Sequence, residues 1–259
     1  MQYTRFIALG DSMTEGMNDE VINGKYRGWA DRVADGLAKN EAGFTYLNLA
    51  IRGKLLNQVV TDQIPSALKF IEGRQTLVSF HAGANDVLRP TYDPQFSLPQ
   101  YERGIKELTD AGATVIIFTV VDKVEGKGKI AKLWHERFSA FNDHVRIVAS
   151  KYPTILFEGK KAEFLNTQSF LSSDRLHMNS EGHRRLANAV LEGLGYEFDP
   201  NWNSNIPLGN GKKISIKPLS NIAWVVTFLI PWIWRRLRGK SSGDGRKAKH
   251  SEPIIWPAR

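Results

Sequence analysis

The sequence contains no cysteine. Disulfide bridges, thiolate metal sites and cysteine nucleophiles are thereby excluded, and the composition suits a reducing compartment. No uncharged run reaches the ~20 apolar residues that a membrane-crossing helix needs. The opening Met1-Gln2-Tyr3-Thr4-Arg5 leads only into the short apolar run Phe6-Ile7-Ala8-Leu9, too little for a secretory signal. Cytoplasmic residence is the expectation. No Gly-x-Ser-x-Gly elbow and no Gly-x-Gly-x-x-Gly follows a strand-like run, and a His-Glu-x-x-His pair and a Walker loop are missing. An α/β-hydrolase elbow, a zinc peptidase and a nucleotide site therefore have no support, and no cofactor or metal is expected.

What is present is 259 residues, 42% hydrophobic and 24% charged, enough for one large domain with an appendage. Charge is unevenly spread. Residues 206–259 hold 11 Lys/Arg against 2 Asp/Glu, whereas residues 1–205 hold 24 against 25. The basic character belongs to the C-terminal part, where it attracts acidic surfaces or merely keeps a tail solvated. Its aromatic residues lie in one apolar run rather than among the charges, so nucleic acid is not an expected partner.

Short apolar runs at 5–9, 44–49, 76–80, 113–119 and 154–157 alternate with helical patterns. Trp29, Val33 and Leu37 recur at four-residue spacing, as do Leu56, Val60 and Ile64 before Pro65, which must bend or end that part. Further helical stretches cover 98–111, 130–150 and 181–193. This alternation predicts an α/β fold, a three-layer α/β/α sandwich around a five-stranded parallel sheet. In such sheets function gathers at the carboxyl ends of the strands.

Three polar blocks sit there: Gly10-Asp11-Ser12-Met13-Thr14-Glu15-Gly16, Asn48-Leu49-Ala50-Ile51-Arg52-Gly53 and Gly83-Ala84-Asn85-Asp86. A fourth, Asp174-Arg175-Leu176-His177, comes late in the domain. Each alone is weak: a turn, a positive-φ glycine, a helix cap and a surface histidine are the ordinary explanations. Together, and in this order, they resemble the SGNH (GDSL-type) hydrolases, named for Ser, Gly, Asn and His. Here these are Ser12, Gly53, Asn85 and His177. The resemblance runs from about residue 4 to 194. Tyr26-Arg27-Gly28-Trp29-Ala30 and Leu176 to His183 are similar to actinobacterial members.

The resemblance implies a flavodoxin-like SGNH fold and a cofactor-free esterase or lipase acting on a small-molecule ester, whether short acyl, acetylated sugar or lipid. Ser12 is the expected nucleophile, His177 its base and Asp174 the group that orients His177. The N–H groups of Ser12 and Gly53 and the Asn85 amide form the expected oxyanion hole, where one donor is worth about 3–4 kcal/mol. Glycine at 53 is expected to leave room for the acyl group. Asp11 and Asp86 read as turn partners, and His183 and His81 as structural. The rival class is a membrane- or partner-associated binding module on a degenerate hydrolase scaffold, which predicts the loss of a block; none is lost.

The hydrolase domain is expected over 1–205. Residues 206–240 form an apolar and basic appendage in which 218–234 are uncharged and contain Trp224, Phe228, Trp232 and Trp234. Packing of this segment on the domain or on a second subunit is the first reading, contact of 218–240 with a membrane interface the second, and spanning the third. Residues 241–259 are expected to be a flexible basic tail.

Overall fold

A computed structural model describes residues 2–39, 41–120, 128–159, 168–204, 223–238 and 240–257. Residues 205–222 of the appendage lie outside the described residues. In chain order the elements begin with β1 (Arg5–Gly10), α1 (Ser12–Glu15), the hairpin β2 (Val21–Ile22) and β3 (Lys25–Tyr26), and α2 (Gly28–Ala38). β4 (Thr45–Asn48) leads to α3, which has three parts: Leu56–Gln58, a π turn at Val59–Gln63, and Ile64–Leu68. β5 (Thr76–His81), α4 (Ala84–Val87), α5 (Pro94–Asp110) and β6 (Thr114–Phe118) follow. Then come α6 (Lys129–Lys151), β7 (Thr154–Phe157) and α7 (Ser180–Leu194). The C-terminal part holds α8, a π turn at Val225–Leu229 continued by Ile230–Leu237, and β8 (His250–Ile255).

The sheet order is β7-β6-β5-β1-β4-β8, and the first five of these strands are mutually parallel. β1, β5 and β6 are buried almost throughout, because helices cover both faces, and that is why they read as unbroken apolar runs. One core layer joins Ile7, Leu9, Val78 and Phe80 to α3, α5 and α6. The other joins Phe6, Ala8, Leu77 and Ile116 to α2 and α7. Pro65 does not end its helix. The chain loosens into the π turn just before it, where the Ile64 N–H reaches the Val59 carbonyl, and then continues.

Two departures from the sequence reading concern strands. The β2–β3 hairpin turns at Asn23-Gly24, both at positive φ (51° and 77°), a favoured two-residue hairpin turn. The C-terminal stretch expected to be flexible instead forms β8, a sixth strand, antiparallel to β4. Pro253 and Glu252 disguise it, but an edge strand tolerates both, and the register shifts between Tyr46 and Asn48 where Pro253 passes. What holds it is tertiary. Trp256 packs edge-on to Tyr46 with centroids 5.0 Å apart and donates to Asp35 at 2.8 Å. Lys249 is buried against Asp31, 2.9 Å away.

Candidate active site

β1 reverses the order of connections in the sheet, with β4 on one side and β5 on the other, so a crevice opens at its carboxyl end. The Gln63 amide clamps that end, accepting from the Gly10 N–H and donating to the Gly10 carbonyl, each at 2.9 Å. Asp11 then caps α1 by accepting from the Met13 N–H. Ser12 is thus presented on the first residue of a short helix.

The Ser12 hydroxyl lies 2.9 Å from His177 Nε2, and His177 Nδ1 lies 2.7 Å from Asp174 Oδ2. Asp174 Oδ1 accepts from the backbone N–H groups of Leu176 and His177, both at 3.0 Å. This turn, with Arg175 at φ 57°, is how three-residue spacing brings carboxylate and imidazole together. Burial alone would raise the Asp174 carboxyl. The His177 hydrogen bond and charge, with the two N–H donors, outweigh it and set the group at about 2.

Two partners of Asp174 escaped the sequence reading. Asn18 Nδ2 donates to Oδ2 at 2.7 Å, and Trp224 Nε1 donates to the Asp174 carbonyl at 2.9 Å. Asn18 sits at φ 70°, and only an Asn-Asp pair after Gly16 hinted at a turn there. Replacing Asn18 with alanine is expected to lower kcat by roughly tenfold with KM nearly unchanged, because the carboxylate loses a donor that fixes its direction toward His177. Steady-state kinetics on a p-nitrophenyl ester check this, and an unchanged kcat would show that Asp174 needs no such support.

The loop carrying Gly53 is tied to α1 by Glu15. Its carboxylate accepts from the Arg52 N–H at 2.6 Å and pairs with the Arg52 guanidinium. Gly53 has φ 73°, and a Cβ there would fall 2.1 Å from Ser241 Oγ. The crowding that glycine avoids comes from this chain's own C-terminal segment. Asn85 joins the loops: its Nδ2 donates to Asp11 Oδ2 at 2.9 Å and to the Lys54 carbonyl at 3.1 Å. Both amide protons are therefore engaged. The N–H groups of Ser12 and Gly53 have no acceptor among the described residues.

Other titratable groups nearby are structural. Burial raises the Asp11 carboxyl to about 6, against the pull of the Met13 N–H. Asp86 accepts from the Leu56 N–H at 2.8 Å and so shapes the start of α3. His183 accepts from the Trp29 N–H at Nδ1 and donates from Nε2 to the Met17 carbonyl, leaving no ring nitrogen free to act as a base. Burial lowers both His183 and His81 to about 4, and the His81 ring packs edge-on to Phe118. Among the described residues no group of three or more His, Asp or Glu could hold a metal ion.

Comparison with known proteins agrees with this architecture. An acetylxylan esterase from Geobacillus stearothermophilus superposes with a TM-score of 0.57 at 21% identity, covering 76% of this chain and 96% of its own. A psychrotrophic esterase from Pseudoalteromonas sp. gives 0.56 at 14% identity, over 74% and 97%. A lipolytic protein of the G-D-S-L family from Veillonella parvula gives 0.54 at 19%, over 73% and 96%. No curated protein sequence matches the chain. At such identities the solved structures speak for the fold, whereas kinship is shown by sequence. Residues 8–185, well over half of the chain, match the GDSL-like Lipase/Acylhydrolase family, and the protein is a carboxylic ester hydrolase belonging to that family.

Proposed function

We propose that the enzyme is a serine esterase working through an acyl-serine intermediate, with Ser12, His177 and Asp174 as its triad. The observation that carries this reading is the continuous chain of hydrogen bonds from the Ser12 hydroxyl through His177 to Asp174, at 2.9 and 2.7 Å. His177 takes the Ser12 proton as the hydroxyl oxygen attacks the ester carbonyl, and Asp174 stabilises the imidazolium. The C–O bond to the alcohol then breaks as His177 returns the proton to the leaving alkoxide. Water repeats the cycle on the acyl-serine and releases the acid.

The oxyanion is received by the N–H groups of Ser12 and Gly53, which have no competing acceptor among the described residues. Asn85 contributes its amide by exchanging its longer bond, the one to the Lys54 carbonyl, for the oxyanion. Asp11 keeps the other amide proton and so holds the group in place.

The likeness to an acetylxylan esterase brings an acetylated sugar into consideration beside short acyl esters and lipids. Hydrolysis of p-nitrophenyl acetate, butyrate and octanoate, together with acetylated xylo-oligosaccharide, tests the reading. Turnover of at least one is expected, with Asp174, at about 2, charged throughout the assay range. Failure of the whole panel would refute the reading.

A further inference from the structure

Near the carboxyl edge of the sheet, around Ser12, two helices carry exposed apolar side chains. In α8, Val226, Ile230 and Trp234 recur every four residues and are 57%, 54% and 54% exposed. The start of α8 is fixed to the site: Trp224 donates to the Asp174 carbonyl, and the Arg175 guanidinium lies 5.2 Å from the centre of its ring. Leu176, between Asp174 and His177, is 48% exposed.

α6 is the second of these helices. Asn142 holds the backbone of Val120, just past β6, through two hydrogen bonds of 2.8 and 2.7 Å. Asn142 is thus level with the sheet edge, and Ile130, twelve residues earlier, lies about 18 Å further along the helix axis. Ile130 and Leu133 on this half are also exposed.

Charge selects the occupant. Residues 206–240 contain seven Lys/Arg and not one Asp or Glu. Exposed Arg235 follows Trp234 directly, and the Arg238 guanidinium lies 4.3 Å from the Trp234 ring centre. A second copy docking through the same face would bring these cations against their own kind, with no acid in the segment to offset them. Tryptophan, aliphatic side chains and arginine together suit the boundary of a bilayer with anionic headgroups. Among the described residues no helix is long and apolar enough to cross a membrane, so α8 would lie in the interface plane.

We propose that this edge docks on an anionic lipid surface through α8, and that the ester taken by Ser12 is an amphiphile presented there. The docking stands on the surface alone; the substrate class rests on the esterase reading above. The tie between Trp224 and Asp174 sets the triad loop beside the docked helix, so an acyl chain leaving the bilayer has a short path to it.

Sedimentation with vesicles of phosphatidylcholine, with and without 30% phosphatidylglycerol, is the test. The wild type is expected to co-sediment with the anionic vesicles. Arg235→Gln/Arg238→Gln should weaken binding by about 30-fold, and Ile230→Ser/Trp234→Ser by about tenfold or more. Both variants should hydrolyse dissolved p-nitrophenyl acetate like the wild type. Ser12→Ala should bind vesicles fully, which separates docking from catalysis. Three results overturn docking: a wild type that stays in the supernatant, binding undiminished in both double variants, or loss in those variants of a dimer formed without lipid. If vesicles bind but p-nitrophenyl palmitate within them is not cleaved while dissolved acetate is, the amphiphile assignment falls and the esterase reading stands.

Discussion

Ser12→Ala is expected to lower kcat on a p-nitrophenyl ester by about 10⁴- to 10⁶-fold and to abolish labelling by a fluorophosphonate probe. The alanine leaves His177, Asp174 and the N–H donors of Ser12 and Gly53 in place. Residual turnover would then reflect water attacking a polarised carbonyl without an acyl-enzyme. Because the proposed nucleophile and base would act as one unit, adding His177→Ala should cost little more than Ser12→Ala alone. Stability should hardly change, since the hydroxyl's hydrogen bond to His177 is a single, partly buried one. A Ser12→Ala protein keeping more than about a tenth of wild-type kcat would remove Ser12 from the nucleophile's role.

The largest effect on stability is expected far from that chemistry, at Lys249. Its ammonium is buried with Asp31, and it also donates to the Arg27 carbonyl at 2.9 Å. Burial lowers Lys249 and raises Asp31, each against the pull of the other. The pair is therefore a poor source of net stability, but breaking it leaves a buried carboxylate whose remaining side-chain donor is the Tyr46 hydroxyl at 2.7 Å. Lys249→Met is expected to cost about 3–5 kcal/mol at pH 7, a fall in Tm on the order of 10 °C.

The pH dependence has a definite sign. In Lys249→Met the folded Asp31 rises further above its unfolded value, so the folded state binds the extra proton. The deficit should be smallest below the ordinary aspartate range, where Asp31 is neutral folded or unfolded. It should grow as pH climbs through the raised folded value. Adding Asp31→Asn removes the stranded charge and should recover most of the loss. Thermal melts of the four proteins between pH 4 and 8 give the cycle, and equal deficits at both ends would rule the explanation out.

Much of the candidate site was legible because its parts are local. Ser12 stands two residues past a strand, Asp174 and His177 share one turn, and each block is read within a few consecutive positions. The parallel strands were legible for a related reason: burial on both faces demands an uninterrupted apolar run, which composition reveals. Gln63 clamping Gly10, Asn18 steering Asp174 and Ser241 crowding Gly53 were not legible. Their partners lie 53, 156 and 188 positions away, and a polar side chain shows no periodicity that marks its partner. The Asn85 amide was expected in the oxyanion hole, and the tertiary contacts that engage both its protons were not legible.

The C-terminal segment draws the same line. Sequence alone determined that it is basic and aromatic, with an apolar run short of the ~20 residues a spanning helix usually takes, since these follow from residue types counted along the chain. That 250–255 becomes a strand was decided by the free edge of β4, by the Tyr46 ring and by the buried Asp31 carboxylate. A segment containing Pro253 and Glu252 has little preference for strand by itself, and it takes that form because those partners satisfy its backbone and its lysine.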